Sequence, residues 1–488
     1  MSRKPRRGGS TARSGSPRPS ADAPRTPPAS ETPAASPAPA PRTQAGGERG
    51  RLGIALVGCG TVGAATATLL TRDAELLAER TGCRLELRHV VDVDFTRARA
   101  IGLDESLFRA DLDDALSDER TGAVVELVGG TTIAKDVIAR ALRAGKHVVT
   151  ANKALLAHHG PELYALAREC GVCVAFEASC GGGIPIVRAL CDGLIANRID
   201  ALYGIVNGTC NSILSAMTVR GETYAEALSA AQADGLAEAD PTLDVSGGDS
   251  AHKLAILASL AFGQRVDFDA IPVRGIDTLD LSDVVYAQEL GYVVKLLAIA
   301  QRRGEGLSLR VRPVFISQEH PLAWVAGAFN AVSVYGHATG HTMHYGRGAG
   351  GMPTASAVVA DLASVAVGVA PRSFAQLGLW PDRSPQAVQL GVEDIRSRYY
   401  FRFMCEDQPG VFAKIADIFG RREISISSVL QYEPDPDAGA AGGVPVIITT
   451  HTCVEGNVNK ALAEIDALEV IKAPTVCIGI LDEHEEKF

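Results

Sequence analysis

A cluster of ionisable residues stands immediately before one apolar segment of this sequence. Glu238, Asp240, Asp244 and Asp249 lie in the stretch GLAEADPTLDVSGGDSAHK, which ends at Lys253 and continues as LAILASLAFG. On a helix Asp249 and Lys253 are one turn apart and share a face that is otherwise apolar. If Asp249 only capped the helix, this ion pair would contribute roughly a few tenths of a kcal/mol. A partly desolvated lysine beside a carboxylate instead suits proton transfer to an alkoxide or carbonyl oxygen.

A glycine-rich turn, GCGTVG at Gly58–Gly63, follows an apolar strand and opens a helix. Glycines there allow the backbone to approach a pyrophosphate, and the helix N-terminus offers free N–H groups to its negative charge. Asp92 ends the next strand, where a carboxylate bonds a ribose 2′-hydroxyl and repels a 2′-phosphate. The pattern predicts a dinucleotide site that favours NAD over NADP, although Arg97 and Arg99 could still reach a phosphate.

Two further stretches have residue types suited to a site. ANK, ending at Lys153, follows a strand at the carboxyl edge of the predicted sheet, where ligands bind in such folds. A lysine is poorly matched to the positive end of a helix, which favours a functional role over a solvated one. FEASCGGGIP, which includes Glu177–Pro185, places three glycines between a strand and a helix. These glycines either form a tight turn or expose backbone groups to a ligand or cation.

Histidines and paired cysteines give weaker signals. His337, His341 and His344 are close in sequence, but they have no acidic or cysteine companions and alternation would divide them between two faces. We therefore expect no catalytic metal at these histidines. Cys170 and Cys173 form a C-x-x-C pair without a second pair, which favours ordinary buried thiols.

The elements that must position these residues follow three different patterns. Short apolar runs such as LGIALVG and AVVELVG alternate with amphipathic segments, which is typical of a doubly wound parallel sheet. The middle of the chain mixes helices with longer strands and is predicted to be α+β. The last part has the order βαββαβ, and a Pro-rich stretch before it is interpreted as a linker.

Composition is typical of a soluble chain of two or three domains, with 488 residues, 46% hydrophobic and 21% charged. Residues 1–49 are rich in Pro, Ala, Ser and Arg and predict a disordered tail. No apolar run approaches a membrane span or a secretory signal, whereas an organellar transit peptide stays open. Scattered cysteines favour a reducing, cytoplasmic location. The net charge of −10 argues against nucleic acid as the main partner.

From about Leu52 to the end, the chain resembles homoserine dehydrogenase. The motifs that carry the resemblance are GCGTVG, AGKHVVTANKALLA, FEASCGGGIPIVRAL, GIVNGTCNSIL, AEADPTLDVSGGDSAHKLAILASLAFG and YGRGAGGMPTASAVVADL. The C-terminal module resembles an ACT domain, which binds amino acids in related enzymes. The resemblance implies reversible NAD(P)-dependent interconversion of L-aspartate 4-semialdehyde and L-homoserine in threonine, methionine and isoleucine biosynthesis. It also implies feedback through the ACT domain, with threonine as the expected effector, and a homo-oligomer, dimer or tetramer.

The resemblance also implies roles for individual residues. Lys253 would exchange the proton with the substrate oxygen, and Lys153 would contact the nicotinamide side and the reacting oxygen. Asp249 would hold the substrate, and Glu238 would face its ammonium group. Additional substrate contacts would come from Gly208 and Thr209. The cofactor contacts would be Gly58, Gly60, Thr61, Val62, Gly63, Asp92, Gly129, Lys153, Gly235, Gly350 and Gly351. A structural sodium ion would lie at Glu177, Cys180, Gly182 and Ile184, held mostly by backbone carbonyls.

Together, pattern and resemblance divide the chain into five parts. These are the tail at 1–49, a Rossmann-type NAD(P)-binding domain at 50–172, an α+β catalytic and dimerisation domain at 173–372, a linker at 373–396 and an ACT-like regulatory domain at 397–488. The last part of the catalytic domain is expected to pack back on the Rossmann-type domain.

Three positions depart from the family pattern. Leu236 stands where the family usually has tyrosine, so a hydroxyl near the substrate is missing. Cys180 replaces the usual valine, but the expected cation ligand is its carbonyl. Val93 stands where many relatives carry arginine, which agrees with Asp92 in favouring NAD.

Two other functions are weighed against this one. A sensor that binds cofactor and amino acid without turnover would have no use for a buried proton donor such as Lys253. A dehydrogenase that acylates a cysteine on the same semialdehyde would need a histidine beside Cys180 or Cys210, and the sequence indicates none.

Overall fold

The computed structural model describes residues 50–431 and 443–484, so the tail predicted at residues 1–49 lies outside the described residues. The first region contains a parallel sheet of six strands: β1 (Arg51–Val57), β2 (Arg84–Val91), β3 (Phe108–Arg109), β4 (Thr121–Glu126), β5 (His147–Thr150) and β6 (Val174–Ala175). Its strand order is β3-β2-β1-β4-β5-β6. The order reverses between β1 and β4, which creates the crevice where dinucleotides bind in such sheets. The predicted Rossmann-type sheet is confirmed.

The helices of the first region connect successive strands. They are α1 (Thr61–Arg72), α2 (Ala74–Thr81), α3 (Thr96–Ala100), α4 (Leu112–Leu116), α5 (Ile133–Arg143) and α6 (Lys153–Glu169). Central strands of such a sheet are covered on both faces and are therefore apolar along their length. Accordingly, Ile54, Ala55 and Leu56 of β1 are fully buried.

The second region is α+β, as predicted. Its strands are β7 (Ile199–Ile205), β8 (Tyr292–Arg303), β9 (Gly306–Ser317), β10 (Phe329–Gly336) and β11 (Gly340–Arg347). Its helices are α7 (Ile186–Arg188), α8 (Gly208–Arg220), α9 (Tyr224–Ala233), α10 (Thr242–Val245), α11 (Gly248–Phe262), α12 (Leu281–Glu289), α13 (Gly351–Ala366) and α14 (Val369–Gln376). The segment Ala189–Gly193 continues α7 as a π-helical turn.

Apart from one additional strand of two residues, Cys453–Val454, the last region has the predicted βαββαβ order. It contains β12 (Arg396–Cys405), α15 (Val411–Arg421), β13 (Ile426–Gln431), β14 (Val444–Thr450), β15 (Cys453–Val454), α16 (Glu455–Ile465) and β16 (Ile471–Leu481). The strands β16-β12-β14-β13 continue the sheet of the second region, because β16 pairs in parallel with β9. A separate apolar core, with Phe401, Ile415 and Phe419 at its centre, lies under this module.

Two buried ion pairs join the last region to the second. Arg312 on β9 donates to both carboxylate oxygens of Glu455 at 2.9 Å. Asp283 on α12 accepts from Arg402 on β12 at 2.7 and 2.9 Å, and from the hydroxyl of Tyr400 at 2.9 Å. Separating the two regions would break both pairs and leave buried charges without partners, which is costly. These contacts therefore favour one arrangement of the two regions.

The segment interpreted as a linker, residues 373–396, begins inside α14 and is packed on the first region. Trp380 is buried and its ring lies 5.9 Å from that of Tyr164 on α6. Arg168 forms an ion pair with Asp382 at 2.5 Å. The proline content of this segment reflects its irregular backbone, while its aromatic and charged residues anchor it.

Helix α13 returns to the first region and lies against the glycine-rich turn. A Cβ added to Gly351 would lie 3.2 Å from the carbonyl oxygen of Thr61. Among the described residues no single helix is long and apolar enough to cross a bilayer. Helices α13 and α14 taken together have the length and apolar composition of a membrane span, but the pair is bent by 81°.

Candidate active site

The structure brings Lys253 and Asp249 together on α11. Lys253 Nζ donates to Asp249 Oδ2 at 2.6 Å, and these residues are 7% and 3% exposed. A second bond joins Lys253 Nζ to the carbonyl oxygen of Val206 at 2.7 Å. Asp249 is not the N-cap of the helix, because Gly247 occupies that position in the left-handed conformation. The alternative of an exposed, capping ion pair is therefore wrong.

A second lysine reaches the same carboxylate from the parallel sheet. Lys153 begins α6 just after β5, and its Nζ lies 3.1 Å from Asp249 Oδ1. Asn207, at the end of β7, donates to Asp249 Oδ2 at 2.9 Å and to Asp244 Oδ1 at 2.8 Å. The carboxylate of Asp249 is thus held between two ammonium groups that come from different regions of the chain.

The electrostatics of this cluster favour ionised groups. Burial alone would raise the pKa of Asp249, but the ammonium groups of Lys253 and Lys153 outweigh it and hold that pKa well below its usual value. Burial also acts to lower the pKa of Lys153, and the carboxylate of Asp249 reverses this and raises it. The two ammonium groups that meet at Asp249 are suited to stabilise an oxygen that becomes negative.

Donor geometry leaves capacity for a substrate. An ammonium group has three N–H donors, and Lys253 uses two of them on Asp249 and Val206. The side chain of Lys153 is 35% exposed, so the cluster is open on that side. The arrangement can therefore donate to an oxygen while keeping the lysines fixed.

The glycine-rich turn has the shape expected of a pyrophosphate cradle. Gly58 has φ +91°, and a Cβ there would lie 2.8 Å from the backbone of Leu127. A Cβ at Gly63 would lie 2.1 Å from the carbonyl oxygen of Gly58, so the start of α1 packs tightly on the loop. Gly60 is the N-cap of α1 and has no side chain to cap the first N–H groups, which stay available to an anion.

Asp92 lies beside this turn at the end of β2. Its Oδ2 accepts from the N–H of Cys59 at 2.5 Å and its Oδ1 from the N–H of Val93 at 2.7 Å. Arg97 donates to Thr61 Oγ1 at 2.5 Å. A carboxylate and a guanidinium group therefore both border the loop, and groups of these two kinds recognise the ribose and its phosphate in dinucleotide-binding folds.

Other residues predicted to contact a cofactor lie at the ends of neighbouring elements. Gly129 follows β4 with φ +78°, and its N–H donates to Glu126 Oε1 at 3.1 Å. Gly350 is the N-cap of α13, with φ +112°. Gly235 lies beyond the end of α9 with φ +69° and is exposed.

The predicted cation loop contains one buried carboxylate. Glu177 is 3% exposed and accepts from the backbone N–H groups of Val187 and Arg188, both at 2.9 Å. Burial, reinforced by the nearby Asp361, raises the pKa of Glu177 to about 7. Its side chain therefore caps the start of α7. Among the described residues no group of three or more His, Cys, Asp or Glu side chains could hold a metal ion.

The backbone of the same loop is closely packed and internally hydrogen-bonded. Gly182 has φ +52°, and a Cβ there would lie 2.6 Å from the carbonyl oxygen of Gly348. The carbonyl of Ile184 accepts from Ile186 N–H at 2.8 Å, and that of Glu177 from Cys180 N–H at 3.4 Å. The glycines therefore form a tight turn, and exposure of the loop backbone to a ligand or cation stays a prediction.

Cysteine acylation finds no support at the two candidate thiols. Cys180 is fully buried, and burial raises the pKa of its thiol to about 12. Burial also raises the pKa of Cys210 well above its usual value, and this thiol donates to the carbonyl of Asp244 at 3.2 Å. A thiol that stays protonated is a poor nucleophile.

Three predicted substrate residues have no side-chain bond to Lys253, Lys153 or Asp249 in the described part of the chain. Glu238 is exposed on the loop between α9 and α10, and no described residue bonds its carboxylate. Thr209 Oγ1 donates to the carbonyl oxygen of Leu236 at 2.8 Å. Gly208 begins α8, where a Cβ would lie 2.9 Å from the carbonyl oxygen of Ala328.

Sequence reasoning missed Asn207 as a member of the cluster. Its Oδ1 accepts from the N–H of Cys210 at 2.8 Å and so caps α8. An asparagine before a helix is a common cap, and this signal could have drawn attention to the position. The second role, toward Asp249, depends on a contact between distant parts of the chain.

His252, next to Lys253 on α11, is expected to make stability depend on pH. It is 8% exposed, stacks on Phe268 at 4.8 Å and lies 5.5 Å from His158. Burial, with smaller effects from His158 and the nearby lysines, lowers the pKa of His252 to about 4, although Asp249 acts in the opposite direction. The unfolded chain therefore binds more protons below the ordinary histidine pKa, and stability falls as pH falls through this window.

We expect His252→Phe to remove part of this pH dependence, because phenylalanine keeps the ring contact and does not titrate. Urea unfolding at about pH 7.5 and about pH 5 measures the free energies. The wild type should lose more stability on acidification than the variant. Equal losses in the two proteins would contradict the assignment.

Comparisons with known proteins agree along the described chain. The family model for homoserine dehydrogenase matches residues 185–363. The family model for the homoserine dehydrogenase NAD binding domain matches residues 58–177, and the family model for the ACT domain matches residues 399–470. The chain is 44% identical over 430 residues to the homoserine dehydrogenase of Pseudomonas aeruginosa, covering 88% of this chain and 98% of that protein.

Solved structures that resemble this chain are also homoserine dehydrogenases. A homoserine dehydrogenase from Thiobacillus denitrificans is 41% identical with TM-score 0.83, covering 89% of this chain and 100% of that chain. A hyperthermophilic archaeal homoserine dehydrogenase in complex with NADPH is 26% identical with TM-score 0.54, covering 64% of this chain and 97% of that chain.

Proposed function

The chain belongs to the homoserine dehydrogenases, and we propose that Lys253 is the proton donor and acceptor of its reaction. In this proposal Lys253 gives a proton to the carbonyl oxygen of L-aspartate 4-semialdehyde or takes one from the hydroxyl of L-homoserine. The bound nicotinamide cofactor supplies or accepts the hydride. The observation that carries the proposal is the buried contact of Lys253 with Asp249, beside Lys153.

The neighbouring residues have complementary roles. Asp249 keeps Lys253 in place and compensates its charge during substrate binding, so that the unused N–H can meet the substrate oxygen. Lys153 adds positive charge where the oxygen becomes negative and lies on the cofactor side of the site, at the carboxyl edge of the parallel sheet. We assign the substrate ammonium group to Glu238, whose exposed carboxylate has no described partner, with Gly208 and Thr209 bordering the same site.

The glycine-rich turn, its glycine neighbours and Asp92 fit a dinucleotide. The close backbone approach at Gly58 and Gly63 leaves room for a pyrophosphate but not for side chains. We propose a preference for NAD, because the Asp92 carboxylate can accept from a ribose hydroxyl and repels a 2′-phosphate. Arg97 is the residue that would limit this preference.

Homoserine oxidation measured with NAD and NADP side by side tests substrate and cofactor together. We expect turnover with both and a higher kcat/KM with NAD. Asp92→Ser should reduce the ratio of kcat/KM with NAD to kcat/KM with NADP by about tenfold. The variant loses the hydrogen bond to the NAD ribose and the repulsion of the NADP 2′-phosphate, together about 1.4 kcal/mol. Absence of homoserine oxidation would refute the proposed reaction, and a higher kcat/KM with NADP would refute the role of Asp92.

A structural sodium ion at the FEASCGGG loop stays a proposal. The carbonyl oxygens of Cys180 and Gly182 accept no hydrogen bond from the described residues, and a hard cation prefers such oxygen ligands. The carbonyls of Glu177 and Ile184 would complete the set. The thiol of Cys180 takes no part in this arrangement.

We further propose the biosynthetic setting that the family implies. The product homoserine would serve threonine, methionine and isoleucine synthesis, and the ACT domain would inhibit the enzyme when it binds an amino acid, with threonine as the expected effector. A homo-oligomer and a cytoplasmic location belong to the same proposal. The ten cysteines are all free thiols, which suits a reducing compartment.

A further inference from the structure

A cavity of about 680 Å³ lies where the sheet of the second region, β7 to β11, meets the ACT domain. We call this second region the catalytic region, because it carries Lys253. The walls of the cavity come from β7 to β10 on one side and from β12 and β16 on the other. It lies apart from the lysine cluster, since none of the residues proposed for catalysis borders it. Its floor is formed by Arg310 of β9, together with Tyr203, Gln301 and Ser308.

Arg310 is a buried cation without a carboxylate partner in the described residues. It is 3% exposed, and its guanidinium donates to Ser308 Oγ at 2.8 Å and to Gln301 Oε1 at 3.3 Å. Burial lowers the pKa of Arg310 to about 10, and the neighbouring Arg312 acts in the same direction, while Glu455, which is bonded to Arg312 rather than to Arg310, acts more weakly in the opposite one. Burying a charge is costly unless an opposite charge lies close to it.

Arg312, two residues further along β9, shows what a paired arginine looks like in this protein. It is 6% exposed and bonds both carboxylate oxygens of Glu455. Among the described residues these two are the buried arginines, and only one of them has its anion. The difference indicates that the partner of Arg310 comes from outside the described chain.

The rim of the cavity indicates the kind of partner. It carries both signs of charge. Arg198 is paired with Asp200 at 3.0 Å, and the other charged residues at the cavity are Arg302, Arg303, Arg396, Asp394, Asp482 and Glu483. A ligand that carries both charges fits such a rim, because its ammonium group can donate to a carboxylate while its own carboxylate accepts from a guanidinium. A free α-amino acid is a small zwitterion that offers a carboxylate to Arg310 and an ammonium group to a nearby carboxylate.

We propose that this cavity binds a free α-amino acid, whose carboxylate pairs with the guanidinium of Arg310 and whose ammonium group meets the rim carboxylates. The proposal rests on the amino-acid feedback described above and gives it a site between the ACT domain and the catalytic sheet. It differs from binding within the ACT domain alone, because the charged floor belongs to the catalytic region.

The strand that carries Arg310 packs against the start of the helix that carries the catalytic lysine. Val311 follows Arg310, and a Cβ at Gly247 would lie 3.2 Å from Val311 Cγ1. Gly247 is the N-cap of α11, the helix that carries Asp249 and Lys253. Movement of β9 on ligand binding would therefore reach the catalytic lysine through one packed contact.

Isothermal titration of the full chain with L-threonine, L-methionine and L-lysine, each in turn, tests the proposal. Succinate, which has carboxylates and no ammonium group, is the control ligand. We expect at least one amino acid to bind and succinate to bind more weakly. Arg310→Met should weaken amino-acid binding by about 10–100-fold, the effect of losing one charge-assisted hydrogen-bonded pair.

Two further variants make the result specific. Arg310→Lys, which keeps the positive charge, should retain more affinity than Arg310→Met. Arg143→Met changes an exposed arginine at the end of α5 and should bind like the wild type. Because Arg310 has no carboxylate partner to lose, Arg310→Met should keep the wild-type Tm or exceed it.

The outcomes separate the site from the feedback. Absence of amino-acid binding, equal binding of succinate, or equal affinity in Arg310→Met and the wild type would overturn the site. Inhibition of the wild type that persists unchanged in Arg310→Met would also overturn it, while leaving feedback intact. Arg310-dependent binding with constant homoserine oxidation would support the site and refute the feedback.

Discussion

Lys253→Ala should lower kcat for homoserine oxidation by about 10²–10⁴-fold, the range that general acid–base catalysis contributes. The Nζ atom of Lys253 is held by Asp249 and by the carbonyl of Val206, with one N–H left for a substrate oxygen. Removing it leaves the proton without a positioned donor or acceptor. The dinucleotide cradle lies on another element, so NADH affinity should change by less than about twofold.

Steady-state kinetics combined with NADH titration measures both effects. Lys146→Ala is a matched control, because Lys146 is a lysine of similar burial, 9% exposed, whose Nζ donates to the carbonyl of Asp118 at 3.1 Å. It lies in the first region, away from α11, and its kcat should stay within about twofold of the wild type. A Lys253→Ala variant with the kcat of the control would refute the catalytic role.

Asp249→Asn should cost about 3–5 kcal/mol of stability, because it leaves buried ammonium groups without their counter-charge. Lys253 is nearly inaccessible to water, and Lys153 is mostly buried. The bond from Asn207 adds to the loss, since an asparagine side chain offers that donor one acceptor oxygen and a competing amide group. Activity should fall with stability, because both lysines lose the group that orients them.

Urea unfolding of the wild type and the variant measures the difference, and circular dichroism reports whether the variant folds. Asp244→Asn is the control, because Asp244 accepts from Asn207 without touching either lysine. Its cost should stay below about 1.5 kcal/mol, the contribution of one hydrogen bond. Equal losses in the two variants would mean that the lysines do not depend on the Asp249 carboxylate.

Local patterns in the sequence were sufficient to predict the elements of the fold. The alternation of apolar runs and helices predicted the parallel sheet, and the spacing of Asp249 and Lys253 predicted a shared helix face. The glycine-rich pattern at Gly58 and Gly63 predicted a turn between β1 and α1, and the structure places a tight turn there. Each of these features depends on residues that are near one another in the chain.

Features that depend on distant contacts were not predictable in the same way. Nothing local indicates that Lys153 meets Asp249, or that Asn207 joins them from a third element. The proline-rich segment after α14 was interpreted as a linker because composition does not show what Trp380 packs against. The unpaired charge of Arg310 is also invisible in sequence, since arginine is usually exposed.

The most direct test of the account is a crystal structure of the full chain with a nicotinamide cofactor and homoserine bound. We expect the Nζ atom of Lys253 within about 2.6–3.2 Å of the homoserine hydroxyl oxygen, the range required for direct proton transfer. Lys253 should keep its bond to Asp249 in that complex. A hydroxyl more than about 4 Å from this nitrogen, without a bridging water molecule, would contradict the proposed role.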